Sequence, residues 1–227
     1  MASCKNCGKP LIPYGGKCVY CRADVNEQSS NAEPTTAVDL VFCIDCSSSM
    51  ASVIDSIKGN VFSFIKGIED AVERIDWRAK IAEYFEIFAI DKLVVLDEPF
   101  VTTPNALKSQ LDGIKVKEVY VNKESPVVDM VSAVLNTTKW REKCQKYIML
   151  FTDKMAKETH GKDLDLLAQE LMEKQVVLLL WGKRDSFYDK MMKIPYSAIV
   201  QFDDPIAYYC NDNVDFGQFM ARLGPHT

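Results

Sequence analysis

No aliphatic run in the sequence is long enough to cross a membrane. The longest runs, such as residues 176–180 (VVLLL), are far shorter than the roughly 20 apolar residues that a spanning helix needs. The first residues, Met-Ala-Ser-Cys, lack the charged segment followed by an apolar one that marks a signal peptide. We therefore expect a cytoplasmic protein without membrane contact.

Histidine is scarce, and acidic residues are missing from the first part of the chain. The two histidines, His160 and His226, lie far apart in the sequence, so a histidine-based catalytic centre is not expected. Residues 1–22 contain four Lys and Arg and no acid, so the net charge of −5 divides into +4 there and −9 in the remainder. Four thiolates on one Zn²⁺ would add −2 and leave about +2, which is weak support for nucleic-acid binding.

Two C-x-x-C pairs account for four of the eight cysteines and are separated by ten residues. The four residues are Cys4, Cys7, Cys18 and Cys21. Such pairs present two sulfurs each to a tetrahedral Zn²⁺, and Gly15-Gly16 favours a hairpin before the second pair. We predict a structural zinc ribbon over residues 1–24, in which the thiolates fill every coordination position. A redox motif or a [4Fe–4S] cluster is the alternative, but redox pairs normally open a helix of a thioredoxin-like unit, which is not predicted here.

The remainder of the chain divides into a linker and one larger domain. Residues 25–37 are mostly polar and predict a flexible linker. In residues 38–224, apolar runs predict strands at 38–45, 146–151, 176–181 and 199–202, and an antiparallel hairpin of 78–90 with 93–101. Apolar spacing of three and four residues predicts helices at 50–72, 104–111, 126–137, 163–174, 186–192 and 213–223. This alternation is typical of an α/β, Rossmann-like fold with a mainly parallel central sheet, one antiparallel edge strand and flanking helices.

A group of oxygen-bearing side chains follows the first predicted strand of this domain. Asp45-Cys46-Ser47-Ser48-Ser49 reads D-x-S-x-S and directly precedes the long helix. In an open α/β sheet, ligands bind beyond the carboxyl ends of the strands, and carboxylate and hydroxyl oxygens suit Mg²⁺. The alternative is a Ser-rich turn that only caps the helix.

The D-x-S-x-S motif resembles the first part of a metal-ion-dependent adhesion site (MIDAS) in the von Willebrand factor A family, and the resemblance covers residues 38–223. The family pattern continues with a Thr in a second loop and T-D-G in a third, which Thr152-Asp153 matches after a buried strand. Ser125 takes the position of the second-loop Thr. The resemblance implies Mg²⁺ or Mn²⁺ at Asp45, Ser47, Ser49, Ser125 and Asp153. The serines at 47 and 49 would bind the ion directly, the two aspartates mostly through water, and a partner's Glu or Asp would complete the octahedron.

Two residues depart from the family pattern. Ser125 keeps the hydroxyl of the usual Thr and lacks its methyl group, and Lys154 replaces the usual Gly. An ammonium close to the ion would oppose metal binding unless it points away. We interpret Lys154 as a second contact to the partner's carboxylate. The alternative is a degenerate domain in which Ser47 to Ser49 only cap the helix.

Other noticeable residues have simpler interpretations. Cys43 lies in a predicted core strand, and Cys46 is the variable position of D-x-S-x-S, so both are interpreted as small core and loop residues, with a thiol switch as the alternative. The charged stretch at residues 139–146 (KWREKCQK) is interpreted as a solvated helix end.

Taken together, the motifs predict an intracellular protein-interaction module rather than an enzyme, because no general base or nucleophile pair accompanies the two aspartates. The ribbon would be a second docking element. The combination of ribbon and intracellular domain is similar to bacterial proteins of tellurite-resistance and stress operons, which implies a kinase, phosphatase or ATPase as the partner. The alternative function is a nucleic-acid-associated factor that uses the basic ribbon, with the larger domain as recruiter.

Overall fold

The computed structural model describes residues 13–14, 17–18, 36–71, 75–87, 92–118, 124–158 and 161–210. The strands are β1 (Pro13–Tyr14), β2 (Lys17–Cys18), β3 (Thr36–Asp45), β4 (Ile75–Ile87), β5 (Lys92–Asp97), β6 (Glu124–Ser125), β7 (Gln145–Phe151), β8 (Met155–Ala156), β9 (Val176–Lys183) and β10 (Ser197–Phe202). The helices are α1 (Ile54–Ala71), α2 (Pro104–Gly113), α3 (Val127–Thr137), α4 (Gly161–Lys174), α5 (Ser186–Met191) and α6 (Pro205–Tyr209). No helix among these residues is both long enough and apolar enough to span a bilayer.

Six strands form the central sheet in the order β10-β9-β7-β3-β4-β5. All neighbours pair in parallel except β4 and β5, which form an antiparallel pair at one edge. The prediction of an α/β fold with a mainly parallel sheet and one antiparallel edge strand is confirmed.

Helices cover both faces of this sheet, and β3 shows why its sequence is apolar throughout. Leu40, Phe42 and Ile44 pack on one face with α1 and α2. Val41 and Cys43 pack on the other face with α3, α4 and α5. Because successive side chains of a strand point to opposite faces, a strand buried on both sides needs apolar residues at nearly every position.

Two features near the strand ends differ from the prediction. The helix expected over residues 50–72 begins instead as a short 3-10 helix, Ser48–Ser52, and α1 starts only at Ile54. The tight first turn leaves the hydroxyls of the D-x-S-x-S motif at the edge of the sheet. The helix α6 was not predicted, although Asp204 caps it by accepting hydrogen bonds from two backbone N–H groups and Pro205 occupies its first turn.

At the amino-terminal ends of the parallel strands, the interpretation of residues 139–146 as a solvated helix end holds only in part: Lys139, Glu142 and Lys143 are exposed, whereas Arg141 is bound to a buried carboxylate. The α3 helix ends at Thr137, and Arg141 donates to the fully buried Asp39 from Nε at 2.7 Å and from its backbone N at 2.9 Å. Arg78 donates to the same carboxylate from Nε at 2.8 Å and Nη2 at 2.7 Å. A buried carboxylate in an apolar strand needs such partners, and the loop that carries Arg141 is held against the sheet by this requirement.

The predicted hairpin before the second cysteine pair is confirmed. The strands β1 and β2 pair antiparallel, with Pro13 opposite Cys18 and Tyr14 opposite Lys17. The remaining zinc-ribbon ligands Cys4, Cys7 and Cys21 lie outside the described residues, as does the helix predicted at 213–223. The zinc ribbon and the domain boundaries therefore stay predictions.

Candidate metal centre

The parallel pairing of β3 with β7 brings the first and third motif loops together. Ile44 of β3 lies opposite Phe151 of β7, so the residues that follow them, Asp45 and Thr152, leave the sheet side by side. The hydroxyl of Thr152 donates to Asp45 Oδ2 at 2.8 Å. Motif residues more than a hundred positions apart in the sequence thus meet at the carboxyl edge of the sheet, where ligands of open α/β sheets bind.

Asp45 is buried and already has a hydrogen bond at each carboxylate oxygen. Its Oδ1 accepts from the backbone N–H of Ser47 at 3.0 Å, and its Oδ2 accepts from Thr152. A carboxylate in this state supplies negative charge and orients the loop.

Three further oxygens from the first and third loops lie close together. The hydroxyls of Ser47 and Ser49 are 3.2 Å apart, and Ser49 Oγ donates to Asp153 Oδ1 at 2.9 Å. Adjacent ligands of an octahedral Mg²⁺ at about 2.1 Å from the ion are about 3.0 Å apart. The spacing of these oxygens therefore fits neighbouring positions around one small hard cation.

The electrostatics of this group favour an added positive charge. Burial raises the pKa of Asp153; the hydrogen bond from Ser49 lowers it, the negative charge of Asp45 raises it, and the ammonium of Lys154 lowers it. Two carboxylates thus share a poorly hydrated site, and the ammonium of Lys154 lies close enough to act on Asp153. A divalent cation would relieve this repulsion.

Ser125 reaches the site by a different route from the other motif residues. The strands β6 and β8 pair in parallel, with Ser125 opposite Ala156, and the backbone N–H of Lys157 donates to Ser125 O at 2.8 Å. This short ladder joins the second loop to the third. The hydroxyl of Ser125, however, makes its hydrogen bond with the hydroxyl of Tyr84 at 3.0 Å rather than with Ser47, Ser49 or Asp153.

Lys154 is largely buried, and its backbone fixes the third loop. Its N–H donates to Thr152 Oγ1 at 3.2 Å, and its carbonyl accepts from the backbone N–H of Lys183 at 3.2 Å and from the hydroxyl of Tyr188 at 3.3 Å. These contacts make Lys154 part of the loop that holds Asp153 in place. The role of its ammonium in partner binding stays a prediction.

Two tyrosines near the site were not among the predicted residues. Tyr84 contacts Ser125, and Tyr209 of α6 donates from its hydroxyl to the carbonyls of Thr152 at 3.1 Å and Trp181 at 3.3 Å. Neither belongs to a recognisable motif, because each comes from an element distant in sequence and reaches the site only through the fold.

The donor set differs from the common metal sites of carboxylate, His and Cys clusters. No group of three or more His, Cys, Asp or Glu side chains that could hold a metal occurs among the described residues. Hydroxyl groups supply most of the oxygens here, and two carboxylates supply the charge. These residues fit a hard divalent cation that keeps part of its water shell.

Comparison with known proteins agrees with the fold. The family model described as von Willebrand factor type A domain matches residues 39–212. The sequence matched no curated protein. Among solved structures, this chain is similar to proximal thread matrix protein 1 from the mussel byssus, whose structure is described as having a zinc-occupied MIDAS motif, with 14% sequence identity and a TM-score of 0.53. The match covers 74% of this chain and 42% of the mussel chain, and at this identity it concerns the fold alone. Because the family model covers more than half of the sequence, this chain belongs to the von Willebrand factor type A domain family.

Proposed function

We propose that this chain is a protein-interaction module that binds a carboxylate of its partner through a divalent cation held by Asp45, Ser47, Ser49, Ser125 and Asp153. The observation that carries the proposal is the hydrogen bond of 2.9 Å between Ser49 and Asp153. It joins the first and third loops and places their oxygens at the spacing of neighbouring metal ligands. Family membership supports the same function, because these domains are interaction modules that depend on a metal.

The coordination chemistry of the site supports a role in recognition rather than catalysis. Mg²⁺ and Mn²⁺ prefer six oxygens, and the two serines of the first loop with Ser125 offer at most three neutral ones. The remaining positions would hold water, which a partner's Glu or Asp can replace. We propose no reaction for this site.

Lys154 would add a second contact to the bound carboxylate. Its side chain is largely buried, and its charge acts on Asp153, so it lies within electrostatic reach of the metal ligands. We propose that its ammonium attracts the partner's carboxylate at the cost of weaker metal binding. The zinc ribbon would be a separate docking element, and the partner class and the cytoplasmic location stay as predicted from the sequence.

Metal binding is tested with the intact protein and single-residue variants. Titration with Mn²⁺, followed by the electron paramagnetic resonance signal of the free ion, should give one site per chain in addition to any ribbon metal. Asp45→Asn preserves the shape of the side chain but removes its charge, and binding should weaken at least tenfold. The matched control is Asp112→Asn, since Asp112 is an exposed helix residue paired with Lys108. The panel includes Mg²⁺ and Zn²⁺, because the similar mussel structure is described with zinc.

The carboxylate step requires a second measurement. Acetate added to the Mn²⁺-loaded protein should displace a bound water and lower the relaxation enhancement of the solvent protons, whereas acetamide should not. Lys154→Met keeps the apolar stem and removes the charge. It should tighten Mn²⁺ binding and weaken the acetate effect. If the wild-type protein binds no Mn²⁺, or if Asp45→Asn binds it as the wild type does, the proposed function is wrong.

A further inference from the structure

We propose that Tyr84 is a positioning residue of this metal site, which holds the hydroxyl of Ser125 in the orientation that a metal ligand needs. The inference rests on the proposed function and extends it to a residue on strand β4, outside the three motif loops. It also explains how the site tolerates a serine at the position where the family usually has threonine.

The backbone of Tyr84 is attached directly to the first motif loop. Tyr84 lies opposite Asp45 in the parallel pair of β4 and β3, and its carbonyl accepts from the backbone N–H of Cys46 at 2.8 Å. Its side chain is fully buried on the face of the sheet that α3 covers. The ring therefore has little freedom, and the position of its hydroxyl is set by the sheet.

That hydroxyl joins the second loop to a strand that already holds the first. It is 3.0 Å from Ser125 Oγ of the second loop, and the backbone of the same residue lies opposite Asp45 of the first loop. Asp45 in turn accepts a hydrogen bond from Thr152 of the third loop. Tyr84 therefore links Ser125 to the sheet whose strands end in the other two loops.

The substitution of Ser for Thr creates the need for such a contact. A threonine is restricted at χ1 by its second heavy atom on Cβ, whereas a serine hydroxyl can occupy three staggered positions. A ligand that must first be selected from three rotamers binds more weakly than one already in place. The hydrogen bond to Tyr84 selects one rotamer of Ser125. Whichever hydroxyl donates, Ser125 Oγ keeps at least one lone pair for a cation.

Removal of the phenol hydroxyl tests the proposal. Partners that orient metal ligands contribute roughly 10- to 100-fold to metal affinity, so Tyr84→Phe should weaken Mn²⁺ binding by about tenfold or more. Tyr147→Phe is the matched control, because Tyr147 is also buried in the sheet but its hydroxyl donates to Gln145 at 3.2 Å, away from the site. Thermal melting of the metal-free variants, compared with that of the control, measures any loss of stability separately.

A merely structural role would not produce the expected coupling with Ser125. If Tyr84 acts through Ser125, then Tyr84→Phe combined with Ser125→Ala should bind Mn²⁺ no more weakly than Ser125→Ala alone. Ser125→Thr should restore affinity to the Tyr84→Phe protein, since threonine needs no external rotamer selection. In the wild-type background the same change should alter affinity less than about threefold.

The outcomes separate this inference from the proposed function. If the wild type binds Mn²⁺ and Tyr84→Phe binds it equally well, Tyr84 does not position Ser125, and the proposed function stands. Additive losses in the double variant, or no recovery with Ser125→Thr, would also overturn the inference. If the wild type binds no Mn²⁺, both proposals fail. If Tyr84→Phe does not fold, Ser125→Thr in the wild-type background provides the test. A tenfold gain in Mn²⁺ affinity would show that Tyr84 does not hold Ser125 in place and would overturn the inference.

Discussion

Asp39→Asn replaces the one fully buried carboxylate at the amino-terminal end of β3 by a neutral side chain of the same shape. Asp39 accepts four hydrogen bonds, three from the guanidinium groups of Arg78 and Arg141 and one from a backbone N–H. An asparagine can accept at only one of its two positions and turns an amide N–H₂ towards the remaining donors. The variant therefore leaves Arg78 without its carboxylate partner, and Arg141 keeps only its ion pair with the half-exposed Asp76.

The size of the effect follows from the burial of the three partners. Removing one member of a buried ion pair costs about 3–5 kcal/mol. Asp39 is 0% exposed, but the side chains of Arg78 and Arg141 are 22% and 27% exposed, so water can partly solvate them. We expect the lower end, a loss of about 3 kcal/mol in the free energy of unfolding. For a domain of this size that corresponds to a fall of about 6–12 °C in melting temperature.

Chemical denaturation at several pH values is the assay. Burial raises the pKa of Asp39, but the hydrogen bonds from Arg78 and Arg141 outweigh it and keep the pKa below its usual value. The ion pair therefore stabilises the protein fully above the unfolded-state pKa of about 4 and loses its effect as the pH falls through the folded-state pKa. The difference in the free energy of unfolding between wild type and variant should be constant from about pH 5 to 7 and should shrink below about pH 4.

The control is an exposed ion pair of similar geometry. Arg184 Nε lies 2.9 Å from Asp203, but the two side chains are 65% and 79% exposed. Such pairs contribute at most about 1 kcal/mol, so Asp203→Asn should change stability little. A loss below about 1 kcal/mol for Asp39→Asn, or a loss equal to that of the control, would refute the argument from burial.

Three further predictions concern other parts of the chain. Cys18→Ser should remove the ribbon zinc, as measured by elemental analysis, and leave the cooperative melting of the larger domain nearly unchanged; a variant that retains one zinc would contradict the ribbon. Gly182→Ala should cost about 2 kcal/mol of stability, because the added Cβ would lie 2.6–2.7 Å from the ring and hydroxyl of the buried Tyr188; unchanged denaturation would show that the ring can move. Cys46 should resist alkylation in the native protein while the exposed Cys210 reacts, because burial, Glu83 and Asp45 raise the pKa of the Cys46 thiol; equal rates, by mass spectrometry of tryptic peptides, would favour a thiol switch at Cys46.

Structural features that follow from a short stretch of residues could be predicted from the sequence. The strands and most helices follow from apolar periodicity, and the antiparallel β4–β5 pair follows from two strand patterns joined by a short connection. The D-x-S-x-S motif and Thr152-Asp153 mark the ends of β3 and β7, and parallel strands place their carboxyl ends at one edge. The meeting of the first and third loops was therefore predictable from the sequence.

Features that depend on strand register were not predictable in the same way. Tyr84 reaches Ser125 because β4 pairs with β3 so that Tyr84 lies opposite Asp45, and no residue pattern reports that register. The same holds for α6, where Tyr209 reaches the carbonyls behind the third loop. Its Asp-Pro start was visible in the sequence, but a helix of five residues has too little apolar periodicity to be detected.

The pairing of Arg141 with Asp39 could be inferred from the sequence. Asp39 stands inside the apolar run VDLVFCID, and a carboxylate at such a position must be paired, since burying an isolated charge is very costly. An arginine from another segment was therefore required. The charged stretch before β7 was a suitable source, because β7 is the parallel neighbour of β3 and the two strands start at the same edge of the sheet.

The two aspartates of β3 show why only one end of the strand is a candidate for an external cation. Asp39 and Asp45 are six positions apart, an even number, so their side chains leave the same face of the strand. The protein itself supplies two guanidinium groups to Asp39. Asp45 accepts hydrogen bonds from neutral donors, the Ser47 N–H and the Thr152 hydroxyl. A second carboxylate, Asp153, lies close enough for the two negative charges to repel each other. The fold neutralises Asp39 with its own guanidinium groups and leaves Asp45 beside a second carboxylate, which is why we propose a cation from solution only at the carboxyl end of β3.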